Sequence, residues 1–150
     1  MAYVTPEQLQ DRLGSTLYAR LTDRVNGTTA DSAIAQQIID EAEALANSYL
    51  AARYATPINL EAHPELADIL AARVLDLAEY LAWRDSPFVT DIPERVRFLS
   101  EEASDWFASV AAGALNLPAA SPPESRTAEH DQPRYSAEPR KFTAEELDGL

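Results

Sequence analysis

The sequence predicts an all-α fold: a small antiparallel bundle of three longer helices, at about 31–54, 64–84 and 92–112, with two short helices before them and an extended tail after them. Three observations carry this expectation. Apolar side chains recur at three-and-four spacing through each of the three stretches, which gathers them on one face of a helix. Proline and glycine stand between the stretches, so each run has a start and a stop. No segment alternates apolar and polar residues as a half-buried strand does, and the connections are short, which makes consecutive helices antiparallel neighbours.

Thr5-Pro6-Glu7-Gln8 opens the first short helix, with Thr5 as cap, proline at the first helical position and Gln8 placed to close a capping box. Leu9 and Leu13 form its apolar face, and Gly14 is expected to stop it in the left-handed conformation. Ser15 is expected to cap a second helix through Leu17 and Leu21 to about Arg24, after which Asn26-Gly27 turns the chain. The spine of the fold follows, from Asp31 to Pro57. Asp31 caps it, and its stripe is Ile34, Ile38, Ala42, Leu45, Ala46, Tyr49 and Leu50. Pro57 holds Thr56 extended, so this helix is expected to end near Arg53 or Tyr54.

His63-Pro64 opens the next helix, which runs to about Trp83 on Leu66, Ile69, Leu70, Arg73, Val74, Leu77, Tyr80 and Leu81. Asp68, Asp76 and Glu79 are expected mostly on its other faces. Asp85-Ser86-Pro87 breaks it. Asp91 and Glu94 have the spacing of a capping box for the last long helix, which continues through Val96, Leu99, Ala103, Trp106, Phe107 and Val110 to Gly113. Residues 1–117 are therefore read as the helical domain and 118–150 as the tail. From Leu117 to Lys141 the chain is rich in Pro, Ser and Glu without apolar periodicity, which marks an extended, unfolded segment. Thr143 and Glu146 then form another capping box beside Phe142, Leu147 and Leu150. A short apolar segment on a long tether has the design of a docking arm.

Composition narrows the function. Acids outnumber bases 25 to 12, for a net charge of -13, and a phosphate-binding surface needs clustered bases. No run of about 18 uncharged residues is present to span a bilayer, and the first residues lack the basic and apolar parts of a secretory signal. Without cysteine there is no disulfide, thiol nucleophile or cysteine-bound metal. His63 and His130 lack ligands at metal-binding spacing, and four glycines do not build a phosphate loop. Asp40, Glu41 and Glu43, and Asp76 with Glu79, are the carboxylate groups available for acid/base work, yet such faces are ordinarily solvated. The expectation is no enzyme, no cofactor and no small-molecule substrate.

Arg53, four residues after Tyr49, reaches the edge of the core and is expected to meet a carboxylate from Asp76, Glu79 or Asp23. Tyr54 and Trp83 are read as core or core-edge aromatics.

Several stretches are similar to one phage family: MAYVTPEQL at the start, LTDR at 21–24, SYLAARYATPI at 48–58, AAGALNLP at 111–118 and RKFT at 140–143. The most specific is Tyr49, Leu50, Ala51, Ala52, Arg53, Tyr54 and Pro57. The chain resembles the Mu-like prophage proteins typified by the product of Mu gene 36. That resemblance implies a head-to-tail connector or adaptor of a long-tailed phage, made in the bacterial cytoplasm and built into the virion. It implies a ring beneath the portal, commonly of about twelve copies, that contacts portal, neighbouring copies, and stopper or tail proteins. It also implies that the C-terminal arm, here Arg140, Phe142, Thr143, Leu147 and Leu150, docks on portal or on a neighbour. Tyr49, Arg53, Tyr54 and Pro57 are assigned a structural role. DNA is expected to pass through such a ring without specific binding, and an acidic lumen suits passage because it repels phosphate. Other readings are a stopper or tail-terminator of the same junction, and a non-phage helical regulatory protein. The isolated chain is expected to be monomeric or weakly associated.

Overall fold

The computed structural model describes residues 2–117. Among them every regular element is helical: α1 Pro6–Leu13, α2 Ser15–Thr22, α3 Ser32–Leu50, α4 Ala67–Asp85 and α5 Glu94–Ala112, with a 3-10 turn at Pro64–Leu66 leading into α4.

The capping box of α1 forms as read. Thr5 Oγ1 accepts the Gln8 amide at 3.4 Å, and Gln8 Oε1 accepts the Thr5 amide at 2.9 Å. Gly14 differs from expectation. Its φ of 80° and ψ of 153° belong to a region essentially reserved for glycine, and this is not the left-handed helical stop. In that conformation its amide donates to Gln10 O and its carbonyl accepts from Tyr18, so one glycine closes α1 and opens α2. Ser15 is therefore inside the first turn of α2 and makes no cap bond.

Asp31 caps α3 by accepting the amides of Ala33 and Ile34 at 2.9 and 3.2 Å. The helix stops at Leu50, earlier than expected, because Arg53 and Tyr54 both turn their amides back onto Leu50 O. Its 19 residues span about 28 Å at 1.5 Å per residue. The peptide bond between Thr56 and Pro57 is cis. The buried stripe runs through Ala35, Ile38, Ile39, Ala42, Ala46 and Leu50. It is rotated from the predicted stripe toward Ala35 and Ile39, which moves Leu45 to the margin, where it is 40% exposed.

α4 is the central helix: α3 and α5 pack on it, and α1 and α2 pack on it as well. Leu70, Val74, Leu77, Ala78, Leu81 and Ala82 are buried as the period requires, but so are Asp76 and Glu79. These two acids were read as lying on a solvated face; α1 covers that face. α5 begins at Glu94 without the predicted capping box, because Pro93 takes the cap position and supplies its carbonyl to the amides of Val96 and Arg97. Gly113, at φ 82°, closes α5 in the left-handed conformation. Phe107 is fully buried, stacked on Tyr49 at 6.3 Å between ring centres and met edge-on by Trp106 at 5.1 Å.

The short 86–93 connection folds α5 back along α4, and Tyr49 near the end of α3 lies beside Phe107 near the end of α5, so α5 runs antiparallel to α4 and parallel to α3. This gives the bundle two distinct ends. One end holds the α2–α3 and α4–α5 connections. The other holds the 51–66 connection and the chain beyond Gly113.

Candidate interaction site at the corner where the tail begins

The turn after α3 and the chain after α5 meet at one corner. Tyr54 is buried, and its hydroxyl accepts the buried Leu117 amide at 2.9 Å. Arg53 lies over the Tyr54 ring at 5.9 Å and donates from Nη1 to Asn116 Oδ1 at 2.9 Å. A Cβ added to Gly113 would stand 2.6 Å from that same nitrogen. Among the described residues Arg53 does not meet the expected carboxylate: Asp76 and Glu79 pair with Arg12 and Arg73, and Asp23 accepts backbone amides. Because α3 ends at Leu50, Arg53 stands on a turn instead of a helical face, and its guanidinium reaches the carboxyl end of α5. Free carbonyls and the negative end of the helix dipole favour a cation there without a formal countercharge.

A second set of bonds holds the other side of the corner. The Tyr3 hydroxyl donates to Asn47 Oδ1 at 2.7 Å and accepts the Ile58 amide at 2.7 Å. Glu43 Oε1 accepts the amides of Tyr3 and Val4 at 2.6 and 3.1 Å. Burial raises the Tyr3 phenol pKa, the Ile58 bond opposes that rise, and the charge of Glu43 adds to it. The four residues singled out in the sequence are thus distributed around one joint. Tyr49 packs on Phe107, Arg53 and Tyr54 hold residues 116–117, and Pro57 stands exposed beside the buried Ile58. Tyr3 and Asn116 carry as much of the joint, yet a lone tyrosine before α1 and an asparagine after a glycine cap gave no periodic signal.

The carboxylates considered for acid/base chemistry are otherwise engaged. Arg12 donates to Asp76 at 2.5 Å and to Glu79 at 2.7 Å, and Arg73 stands 3.7 Å from Asp76. Burial pulls the Arg12 pKa down, but the bonds to and charges of Asp76 and Glu79 outweigh that and raise it. Asp40 accepts from Gln36 at 2.8 Å, and Glu41 accepts from Arg84 at 3.1 Å. Asp23 accepts four backbone amides, those of Thr28, Val25, Thr29 and Asn26, which hold its carboxyl well below the usual range. Among the described residues no group of three or more His, Asp or Glu is placed to hold a metal, and no helix is long and apolar enough to cross a membrane.

The docking residues read from the sequence, Arg140, Phe142, Thr143, Leu147 and Leu150, lie outside the described residues. A family model described as Bacteriophage Mu, Gp36 matches residues 3–134, and so takes in the corner and the first part of the tail. No curated protein matches the chain.

Proposed function

Since the chain belongs to the bacteriophage Mu Gp36 family, and is thus a phage protein, we propose that it is a structural protein of the virion and acts as a head-to-tail connector. In this reading the helical domain is one subunit of a ring beneath the portal. The arm Arg140, Phe142, Thr143, Leu147 and Leu150 docks on portal or on a neighbouring copy. The family match over residues 3–134 carries the proposal. The corner supports the arm's part in it: two bonds fasten Asn116 and Leu117 to the spine, so the arm starts from a fixed point. An arm with a fixed origin searches a smaller volume for its site, which raises its effective concentration there. The 24 residues from 118 to 141 span up to about 80 Å at roughly 3.3 Å each. That reach carries the arm past its own domain.

The role needs no catalysis and no cofactor. Acidic charge suits a ring through which DNA passes, because a basic lumen would bind the duplex and slow it. Cryo-microscopy of the virion tests the proposal. The expected result is copies of this bundle in a ring between portal and tail, and a neck in which this chain is missing overturns it.

A further inference from the structure

A groove of about 300 Å³ between α4 and α5 is lined by Tyr80, Arg97, Ser100, Glu101, Ser104 and Asp105. Arg97, Glu101 and Asp105 follow one another at intervals of four residues, so they share one outward face of α5. All three are exposed, and none makes a side-chain hydrogen bond or ion pair among the described residues. The other acids of α5 are placed differently: Glu102 meets Arg73 at 3.6 Å, and Glu94 stands in the first turn, outside the lining. The groove therefore has an order of charge, with a base toward the amino end of α5 and two acids toward its carboxyl end. From Arg97 to Asp105 this order runs over about 12 Å at 1.5 Å per residue.

One segment of the chain carries the reverse order. Arg140-Lys141 is the only pair of adjacent bases in the sequence, and it outnumbers Glu138 beside it; Phe142, Glu145 and Glu146 follow. Laid antiparallel to α5, this segment sets its bases beside Asp105 and Glu101, Phe142 against Tyr80, and its acids beside Arg97. Laid parallel, it would set like charges together. From Arg140 to Glu145 the chain spans up to about 16 Å, enough to cover the groove. The tail also starts at the matching end, since Leu117 is bonded to Tyr54 just beyond the carboxyl end of α5. Asp105 lies about 12 Å back along the helix from Gly113, and the residues from 118 to 139 reach up to about 70 Å.

We infer that in the free chain residues 140–146 lie in the α4–α5 groove of their own copy, antiparallel to α5. A site on the same chain meets the arm at an effective concentration of about millimolar, above that of a second copy in ordinary solution. Exposed ion pairs and one aromatic make a weak contact, which yields when a better site is offered. The biological use rests on the connector reading: the arm is stored on its own domain until portal or a neighbouring copy takes it. A chain with its arm stored does not bridge copies, which matches a monomeric or weakly associated isolated protein.

The absence of native cysteine permits a direct test with the full chain. A nitroxide spin label on Thr143→Cys reports where the arm lies. The expected result is loss of the amide resonances of Ser100 and Ser104, while those of Ser15 and Thr16 on α2, which does not pack on α5, keep their intensity. Mixing the spin-labelled chain with an isotope-enriched chain that lacks the label is expected to remove no resonance from the latter. Glu101→Lys with Asp105→Lys brings the lost resonances back, and adding Arg140→Glu with Lys141→Glu removes them again. Thermal melts of each variant confirm that it is folded. Loss spread evenly over the bundle, loss transferred to the chain without the label, or indifference to the charge reversals would each overturn the inference. Portal binding of the same proteins separates the two readings. Portal binding without the loss on α5 overturns this contact alone, and the loss on α5 without portal binding supports it while counting against the connector role.

Discussion

Replacing Arg12 by Met is expected to be among the costlier single changes in this domain. The guanidinium binds Asp76 and Glu79 through two short contacts, and the carboxylate side chains are only 10% and 8% exposed. Arg12→Met leaves both acids buried, with Arg73 at 3.7 Å from Asp76 as the nearest cation. Breaking a buried pair from one side costs about 3–5 kcal/mol. The Arg12 side chain is 21% exposed, so water screens part of this and about 2–4 kcal/mol is the expected loss. With a urea m-value of about 1–3 kcal/mol per molar, the midpoint should fall by roughly 1 M or more. The triple variant Arg12→Met, Asp76→Leu, Glu79→Met removes the charges together and is expected to return within about 1 kcal/mol of the parent. Urea unfolding followed by circular dichroism measures all three proteins at neutral pH. If Arg12→Met is within about 0.5 kcal/mol of the parent, or the triple variant is no more stable than the single one, the buried network does not hold α1 to α4 as described.

Three further outcomes are expected. Tyr54→Phe removes the acceptor of the buried Leu117 amide, at a cost of about 1–2 kcal/mol, and exchange of that amide should accelerate by about tenfold; unchanged exchange at Leu117 would show that the hydroxyl does not fasten the chain there. Gly113→Ala places a Cβ at φ 82°, and is expected to cost about 1 kcal/mol in backbone strain. The same change pushes Arg53 off Asn116, which a shift of the Asn116 side-chain amide resonances reports. Asp23 has a carboxyl pKa lowered from 3.8, so its stabilising effect is complete above that value and fades as pH falls below it toward the folded value. Asp23→Asn is therefore expected to lower the melting temperature at pH 7, with the gap to the parent closing between about pH 4 and pH 2; a gap that stays constant across that range would contradict the assignment.

The helices were legible because their signals are local. Thr5 and Gln8, Asp31, and Gly113 each act within a turn of themselves, and the structure shows all three caps. What depended on a distant partner was not legible. Asp76 and Glu79 look like a polar face along α4, and only the docking of α1 brings Arg12 over them from more than sixty positions away. Arg53 was read as the next point on a helical stripe. Once α3 stops at Leu50 the same side chain swings to the end of α5 and takes the neutral Asn116 in place of an acid. The stripe on α3 was placed slightly off for a related reason: Ala35 and Ile39 are as buried as Ile38 because α1 and α2 add a second packing surface, which a single-helix period does not reveal. The corner itself was half visible, since Tyr54 and Pro57 announced a constrained turn but nothing marked Asn116 and Leu117 as what the turn would hold.

The connector reading meets its most direct test in portal binding by the full chain and by a chain lacking residues Ser121–Leu150. The deletion keeps every described residue in the chain, and a thermal melt of the shortened protein checks that its domain is folded. The expected result is binding by the full chain and its loss in the shortened one; full binding retained by the shortened chain would contradict the role given to the arm.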